Sequence, residues 1–406
     1  MSIAILDIND ATLSLWADGK KVLQSPGYAL LEGSDYRFGE DARSQARLHP
    51  QQINHRFWSQ LDMEPLSPRF GPGRHSADLV HAHLLSIHQQ GGQPEELIIA
   101  APGSLQHDQL ALLLGIVEQC SFSVIGLVDR AVAAVAQSHA EAHNWHVELQ
   151  LHQALVTGIR CENGTLSRDR VTPIPGSGWL AVQDSLARAI ADAFIRQTRF
   201  DPRRQAATEQ ALYDQLPALL SELQGSTEHN MELGGRHARI ERSLLAESCE
   251  KHYQRISRCL DEKGGQLLLG PGMANLPAVA RHLPAAQRVS SAAISDSIHQ
   301  YRDSICQADG DVHFITSLPA KAASDTATAT PGVPPPVAEP VAAPTHCQID
   351  IEGSVLTLKP RSGPAPRVNG EAITTATPLA ADDIIQLDSG PAWRLVPVVT
   401  DNGSQT

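Results

Sequence analysis

Aromatic residues are scarce in this 406-residue chain, at 4%, and they are not interleaved with basic ones. Lys and Arg number 32 against 45 Asp and Glu, a formal net charge of −13. Both shortages argue against a nucleic-acid or anionic-membrane surface, which needs a basic patch. No apolar run reaches the length of a transmembrane helix, so membrane insertion is not expected. Asp7 and Asp10 interrupt the first apolar stretch, so no signal peptide is expected and a soluble cytoplasmic protein is the default. The six cysteines (Cys120, Cys161, Cys249, Cys259, Cys306, Cys347) form no CxxC pair, which indicates neither zinc nor a disulfide framework. The 18 histidines include His81 and His83 two apart, but no HExxH or comparable spacing. They are read as lying on solvated helix faces rather than as metal ligands.

The most telling shortage is of glycine in the first turn. An apolar strand runs from Ile3 into Asp7, turns through Ile8, Asn9, Asp10 and Ala11, and returns as a second strand. A carboxylate at such a turn suits a phosphate-and-metal site. The turn itself does not, because backbone amides close on a phosphate only where side chains leave room.

What is present suits a large α/β protein. The length allows two or three domains, and 42% hydrophobic with 19% charged residues describes a mostly globular chain. Residues 320–345 are dominated by Ala, Pro and Thr without apolar periodicity, and read as an extended linker. They separate a large region, 1–319, from a small module, 346–397, and a tail, 398–406. No internal repeat of fixed period is found. In the large region, strands are expected over 3–7, 12–17, 97–101, 123–128, 146–151, 154–160 and 266–269. Helices are expected over 77–88, 106–119, 130–139, 178–196, 209–223, 242–262 and 276–281. The β-α-β-α run from Leu97 to Arg130 means mixed sheets with helices on their faces. The small module has strand-period apolar residues and a tight turn at Val368, Asn369 and Gly370, which together read as a small all-β unit.

Several segments, in order, resemble the nucleotide-binding domain of the 70-kDa heat-shock chaperones. These are the first turn and its hairpin, DINDATLSLWADGKKV; Phe38 to Ala46 with His49 and Pro50; and EELIIAAPGSLQHDQLALLLGIVEQCSFSVIGLVDRAVAAVAQ. HVELQLHQALVTGI stands where that family has its second phosphate loop, IPGSGWLAVQDSLARAIADAF at its glycine turn and helix, and residues 266–283 at its adenosine segment. The resemblance implies a bilobal actin-like ATPase fold, two mixed sheets flanked by helices, with a small C-terminal all-β module. Residues 57–77 are short for the family, which implies a trimmed peripheral subdomain. VNGEAITTATPLAADDIIQLDSG is similar, more weakly, to the second half of a forkhead-associated domain; Arg361 and Ser362 are out of that family's pattern, so docking is favoured over phosphopeptide binding.

By resemblance, Asp7, Asp129 and Glu148 match the family's catalytic and metal positions and would hold Mg²⁺ through waters. Asn9 and Asp10 in the first turn, with Gly176, Gly178, Gly270 and Gly272, match positions that approach the nucleotide. ATP and Mg²⁺ are therefore the implied cofactors. Against this, the second loop reads Gln150, Leu151, His152, Gln153 where the family has glycines, so Leu151 and Gln153 bring side chains into phosphate space. Asp10 sets a negative charge beside a polyphosphate, a repulsion of about 1–4 kcal/mol at intermediate dielectric. Pro217 and Leu220 replace the family's nucleotide-clamping Glu and Lys, and Arg56 is the nearest counterpart of its catalytic lysine.

Each position also has an ordinary reading. Asp7 forms a turn, Asp129 caps the helix beginning at Arg130, and Glu148 faces solvent or a neighbouring strand. Gly270 and Gly272 serve close packing, and Trp145 and Trp179 anchor packing. The preferred expectation is a degenerate relative that scaffolds other proteins with weak or no ATP hydrolysis and needs no cofactor. The alternative is an active ATP-dependent, chaperone-like ATPase. A sugar-kinase relative would need a substrate-cleft aspartate that is not identifiable here.

Overall fold

The computed structural model describes residues 3–138, 140–260, 264–306 and 312–321, with short segments between 347 and 394. The chain divides into two units, Met1–Asp325 and Thr326–Thr406. The expected linker from 322 onward, Arg361, Ser362, the turn residues Asn369 and Gly370, and the tail lie outside the described residues.

The first unit is mixed α/β, with several sheets flanked by helices. Its two large sheets repeat one strand order. In the first, Ala4–Asp7 pairs antiparallel with Ser14–Ala17, which pairs with Lys20–Gln24. On its other side Ala4–Asp7 runs parallel to Glu96–Ala101, and that strand to Ser123–Asp129. In the second, His143–Leu149 pairs antiparallel with Gln153–Glu162, and that with Thr165–Pro175. His143–Leu149 also runs parallel to Gln266–Leu269, and that to Gln287–Arg288. Five of the six strands in each sheet share this plan, a three-stranded meander extended by two parallel strands; the sixth differs, Phe314–Ile315 lying parallel beside Ser123–Asp129 in the first sheet and Ser317–Pro319 antiparallel beside Thr165–Pro175 in the second. The repeat is one of topology, invisible as a sequence period. All four residues of Ala4–Asp7 are buried, as a central strand covered on both faces must be. The Lys-rich Lys20–Gln24 is an exposed edge, where charge discourages further pairing.

Each sheet has its own apolar core on one face. Helices Ser76–Gln90 and His107–Val117 cover the first. Trp179–Thr198, Ala206–Glu222 and Arg242–Ser257 cover the second. A third core lies between the sheets. It joins Ile5, Ile98 and Val128 of the first to Ile159, Leu166 and Leu268 of the second, around helix Arg130–Ala136. Every residue of that helix is buried. Its sequence, RAVAAVA, is small enough for the sheets to approach from both sides, and its single cation therefore needs partners.

Several expectations are corrected. The helix expected over 276–281 is only a single turn, Val279–His282, because Pro277 and the left-handed Ala278 delay its start. The strands Thr165–Pro175, Glu228–Leu233 and Arg236–Glu241 were not expected. The last two form a hairpin on Gly234 and Gly235, whose φ of 57° and 70° suits the tight turn. His83 is not on a solvated face. It is buried, meets Ser25 Oγ at 2.8 Å, accepts from Trp58 Nε1 at 3.0 Å and stacks on Phe38. Burial pushes it down to about 3, so it stays neutral.

In the second unit, Cys347–Glu352, Val355–Pro360 and Thr377–Leu379 form one sheet. Arg367–Val368, Glu371–Ala372, Ile384–Gln386 and Ala392–Arg394 form another.

Candidate functional site

The first strands of the two sheets end close together, and one arginine joins them. Asp7 closes Ala4–Asp7, and Glu148 sits one residue from the end of His143–Leu149. Arg130 opens the buried helix. Its Nε donates to Asp7 Oδ1 at 2.5 Å and its Nη2 to Asp7 Oδ2 at 3.3 Å, a two-pronged grip. Its Nη1 lies against Glu148 Oε2. The three side chains are 6%, 8% and 4% exposed in the order Arg130, Asp7, Glu148. The guanidinium therefore lies between two buried carboxylates and offsets the desolvation cost and mutual repulsion that they would otherwise carry. Glu148 is thus neither solvent-facing nor directed at a neighbouring strand.

Asp129 does not join this group. Its Oδ1 accepts the Ala131 and Val132 amides, each at 3.0 Å, and so caps the helix. Its Oδ2 accepts from Arg168 Nη1 at 2.7 Å. Burial raises its pKa, against the pull of Arg168 and the two amides. Two of the three expected carboxylates meet, on Arg130; the third faces Arg168. Among the described residues no three His, Cys, Asp or Glu side chains come together as a metal-ligand group.

The two turns bind each other. Asn9 Oδ1 accepts the Ala11 amide at 3.0 Å, its carbonyl accepts the Thr12 amide at 2.7 Å, and its Nδ2 donates to Leu149 O at 3.1 Å. Asp10 Oδ1 accepts the Leu151 amide at 2.7 Å. The Gln150 amide donates to Gln153 O at 2.9 Å. The Gln150 side chain bonds Ser104 Oγ and accepts from Gln153 Nε2 at 2.7 Å. Leu151 is fully buried beside Tyr28, Leu30 and Ala42. The carbonyls of Gln150 and Leu151 accept the Trp179 and Leu180 amides, which caps the helix starting there.

Asp10 carries a testable electrostatic signature. Burial pushes its carboxyl up to about 6 from 3.8, against the Leu151 and Ala11 amides. A raised acid binds more protons folded than unfolded between those values, so its charge costs stability above pH 6 and the cost is relieved as pH falls toward 4. Asp10→Asn keeps an oxygen for the Leu151 amide. It is expected to stabilise the chain by about 1–3 kcal/mol at pH 8, with the gain vanishing near pH 4, in thermal melts across that range.

The glycines divide by role. Gly176, at φ 69°, donates its amide to His152 O at 3.0 Å and accepts from Arg255 Nη1 at 3.2 Å. Gly178 packs onto the turn of residues 150–153. Gly270 donates to Val147 O at 2.9 Å, and nothing lies within 4 Å of where a Gly272 Cβ would be. Gly270 and Gly272 line a cavity of about 410 Å³, together with Asp7, Asn9, Arg130 and Glu148. Pro217 and Leu220 line it too, whereas Arg56 does not. His146 also faces it; burial, then Arg130, hold that ring down to about 3, and its Nδ1 has no hydrogen-bond partner among the described residues.

The residues that sequence reasoning missed are Arg130, Arg168 and His146. A signal existed for the first: an arginine heading a helix of otherwise only Ala and Val must be buried with it, and buried arginines need anions. No protein-family model matches this chain, and no curated protein sequence matches it.

Proposed function

We propose that the Met1–Asp325 unit is a bilobal, actin-like relative of the heat-shock-chaperone nucleotide-binding domain that has become a protein-binding scaffold without ATP hydrolysis. The repeated strand order of the two sheets, packed around one buried helix, supports the fold part of this reading. The observation that carries the loss of ATP hydrolysis is the Arg130 guanidinium set between Asp7 and Glu148. Mg²⁺ bound through water needs carboxylates that face water with free lone pairs. These two line the cavity but are paired internally, Asp7 with both oxygens on Arg130 and Glu148 with one. The amides that would meet phosphate oxygens are equally committed: Leu151 to Asp10, Ala11 to Asn9. The residues present do not fit Mg-ATP.

The competing reading, an active chaperone-like ATPase, draws on the 410 Å³ cavity with Gly270 and Gly272 in its wall. One titration separates the two. A ligand at 100 times its Kd stabilises a fold by about 2.7 kcal/mol. Thermal melts with and without Mg-ATP at roughly millimolar concentration are expected to superimpose. A saturable rise in Tm, with phosphate release that Asp7→Asn abolishes, would replace the scaffold with the enzyme.

A further inference from the structure

The turn of residues 150–153 also contributes Leu151 and His152 to a second cavity, of about 380 Å³. In a chain of net charge −13, its wall carries three arginines, Arg43, Arg47 and Arg56, against one carboxylate, Asp184. Arg47 stacks on Tyr213 at 3.8 Å and donates to Asp184 at 3.1 Å, so it is held in place. Arg43 is held by Glu40 and, at 3.4 Å, by Asp214. Arg56 pairs with no carboxylate among the described residues. Beside it His55 Nδ1 meets His152 Nε2 at 3.2 Å, and His152 Nε2 also lies 2.9 Å from His55 O. Tyr28 packs edge-on against His55.

We propose that this cavity binds a small organic phosphate monoester, its phosphate held by Arg56, Arg47 and the His55–His152 pair and its organic body against Tyr28 and Ile53. Guanidinium forks match phosphate oxygens two at a time. Arg43 and Arg47 are already paired with carboxylates, so Arg56 brings the wall's uncompensated positive charge, which favours an anionic group. The volume exceeds what a bare phosphate fills and falls within the range of small-molecule sites. A divalent cation is disfavoured by the same arginines.

The histidines add a proton linkage. Burial, then His152, Arg56 and Arg47, push His55 down to about 4; burial and Arg56 also lower His152, against a hydrogen bond to His55 O. Both rings are therefore neutral at pH 7. The remaining charged or titratable wall groups are Arg43, Asp184, Tyr28 and Tyr213. A bound dianion offsets the arginine field and favours the imidazolium, so binding takes up protons at pH 7 to 8, where the ester, with a second pKa of about 6, is still the dianion.

The site is independent of the scaffold reading, since Arg47, Arg56, His55 and His152 do not line the first cavity. The test is calorimetric titration of the full chain, at fixed ionic strength, with phenyl phosphate, inorganic phosphate and benzoate. Phenyl phosphate is expected to bind saturably with proton uptake, to bind more tightly than the other two, and to lose at least tenfold in affinity in Arg56→Gln. Arg203→Gln, at an exposed position outside the cavity wall, is expected to leave binding unchanged. Arg56 is exposed, so its variant is expected to fold, and circular dichroism checks that. His152→Gln is expected to remove most of the proton uptake. Absence of phenyl phosphate binding, equal binding of benzoate, or an Arg56→Gln affinity equal to the parent's each overturns the proposal. Equal binding of inorganic phosphate overturns the ester assignment.

Discussion

Replacing Arg130 with glutamine is expected to cost about 3–5 kcal/mol, because it leaves two buried carboxylates facing each other without a cation. In a unit of this size that lowers Tm by roughly 5–15 °C. The cost arises from burial. Asp7 and Glu148 lie under a tenth exposed on two different sheets, and Arg130 is what joins them. An exposed pair such as Arg37 with Glu32 contributes at most about 1 kcal/mol. Arg130→Lys is expected to restore little, since one ammonium cannot grip Asp7 at two oxygens and reach Glu148 as well. The triple variant Asp7→Leu, Arg130→Met, Glu148→Leu is expected to recover most of the loss, as replacing a whole buried ionic group with apolar side chains is often neutral. Chemical denaturation of the four proteins checks this. A glutamine variant as stable as the parent would mean that the carboxylates are hydrated, and the case against a Mg²⁺ site would fall with the ion group.

Much of the architecture was legible in the sequence because it depends on local pattern. Continuous apolar runs mark the buried parallel strands at Ala4–Asp7 and Glu96–Ala101, and 3.6-residue periodicity marks the long helices. The strand Thr165–Pro175 was not legible: it is TLSRDRVTPIP, mostly polar, and exists because Gln153–Glu162 supplies a partner along its whole length. The repeated sheet topology left no sequence period for the same reason: strand order is set by pairing partners distant in sequence. At the site, the positions of Asp7 and Glu148 followed from strand ends, but their partner did not. Asp7 and Arg130 are 123 residues apart, and only the fold brings them together. Asp129 shows the converse. Its capping role was readable because the two amides it accepts belong to the next three residues.

Gly178→Ala is expected to destabilise the ligand-free chain by about 3 kcal/mol, and its cause is space, not backbone conformation. Gly178 has φ −77° and ψ −179°, which any residue adopts. A Cβ there would fall 2.5 Å from the His152 carbonyl carbon and 2.6 Å from Gln150 O, and would meet the Gln153 amide nitrogen as well. All three are backbone, and the backbone cannot retreat. Asp10 holds the Leu151 amide and the Trp179 amide holds Gln150 O, so moving the turn breaks bonds to the first sheet and to the helix cap together. Gly272→Ala is the matched comparison: with nothing within 4 Å of its Cβ, it is expected to change stability by about 0.5 kcal/mol or less. Resemblance assigns both glycines to nucleotide approach. On that account neither alanine would disturb the empty protein. Melting both variants without ligand separates the accounts: a large loss at Gly178 alone means that its glycine is kept so that a helix can meet a turn at van der Waals range.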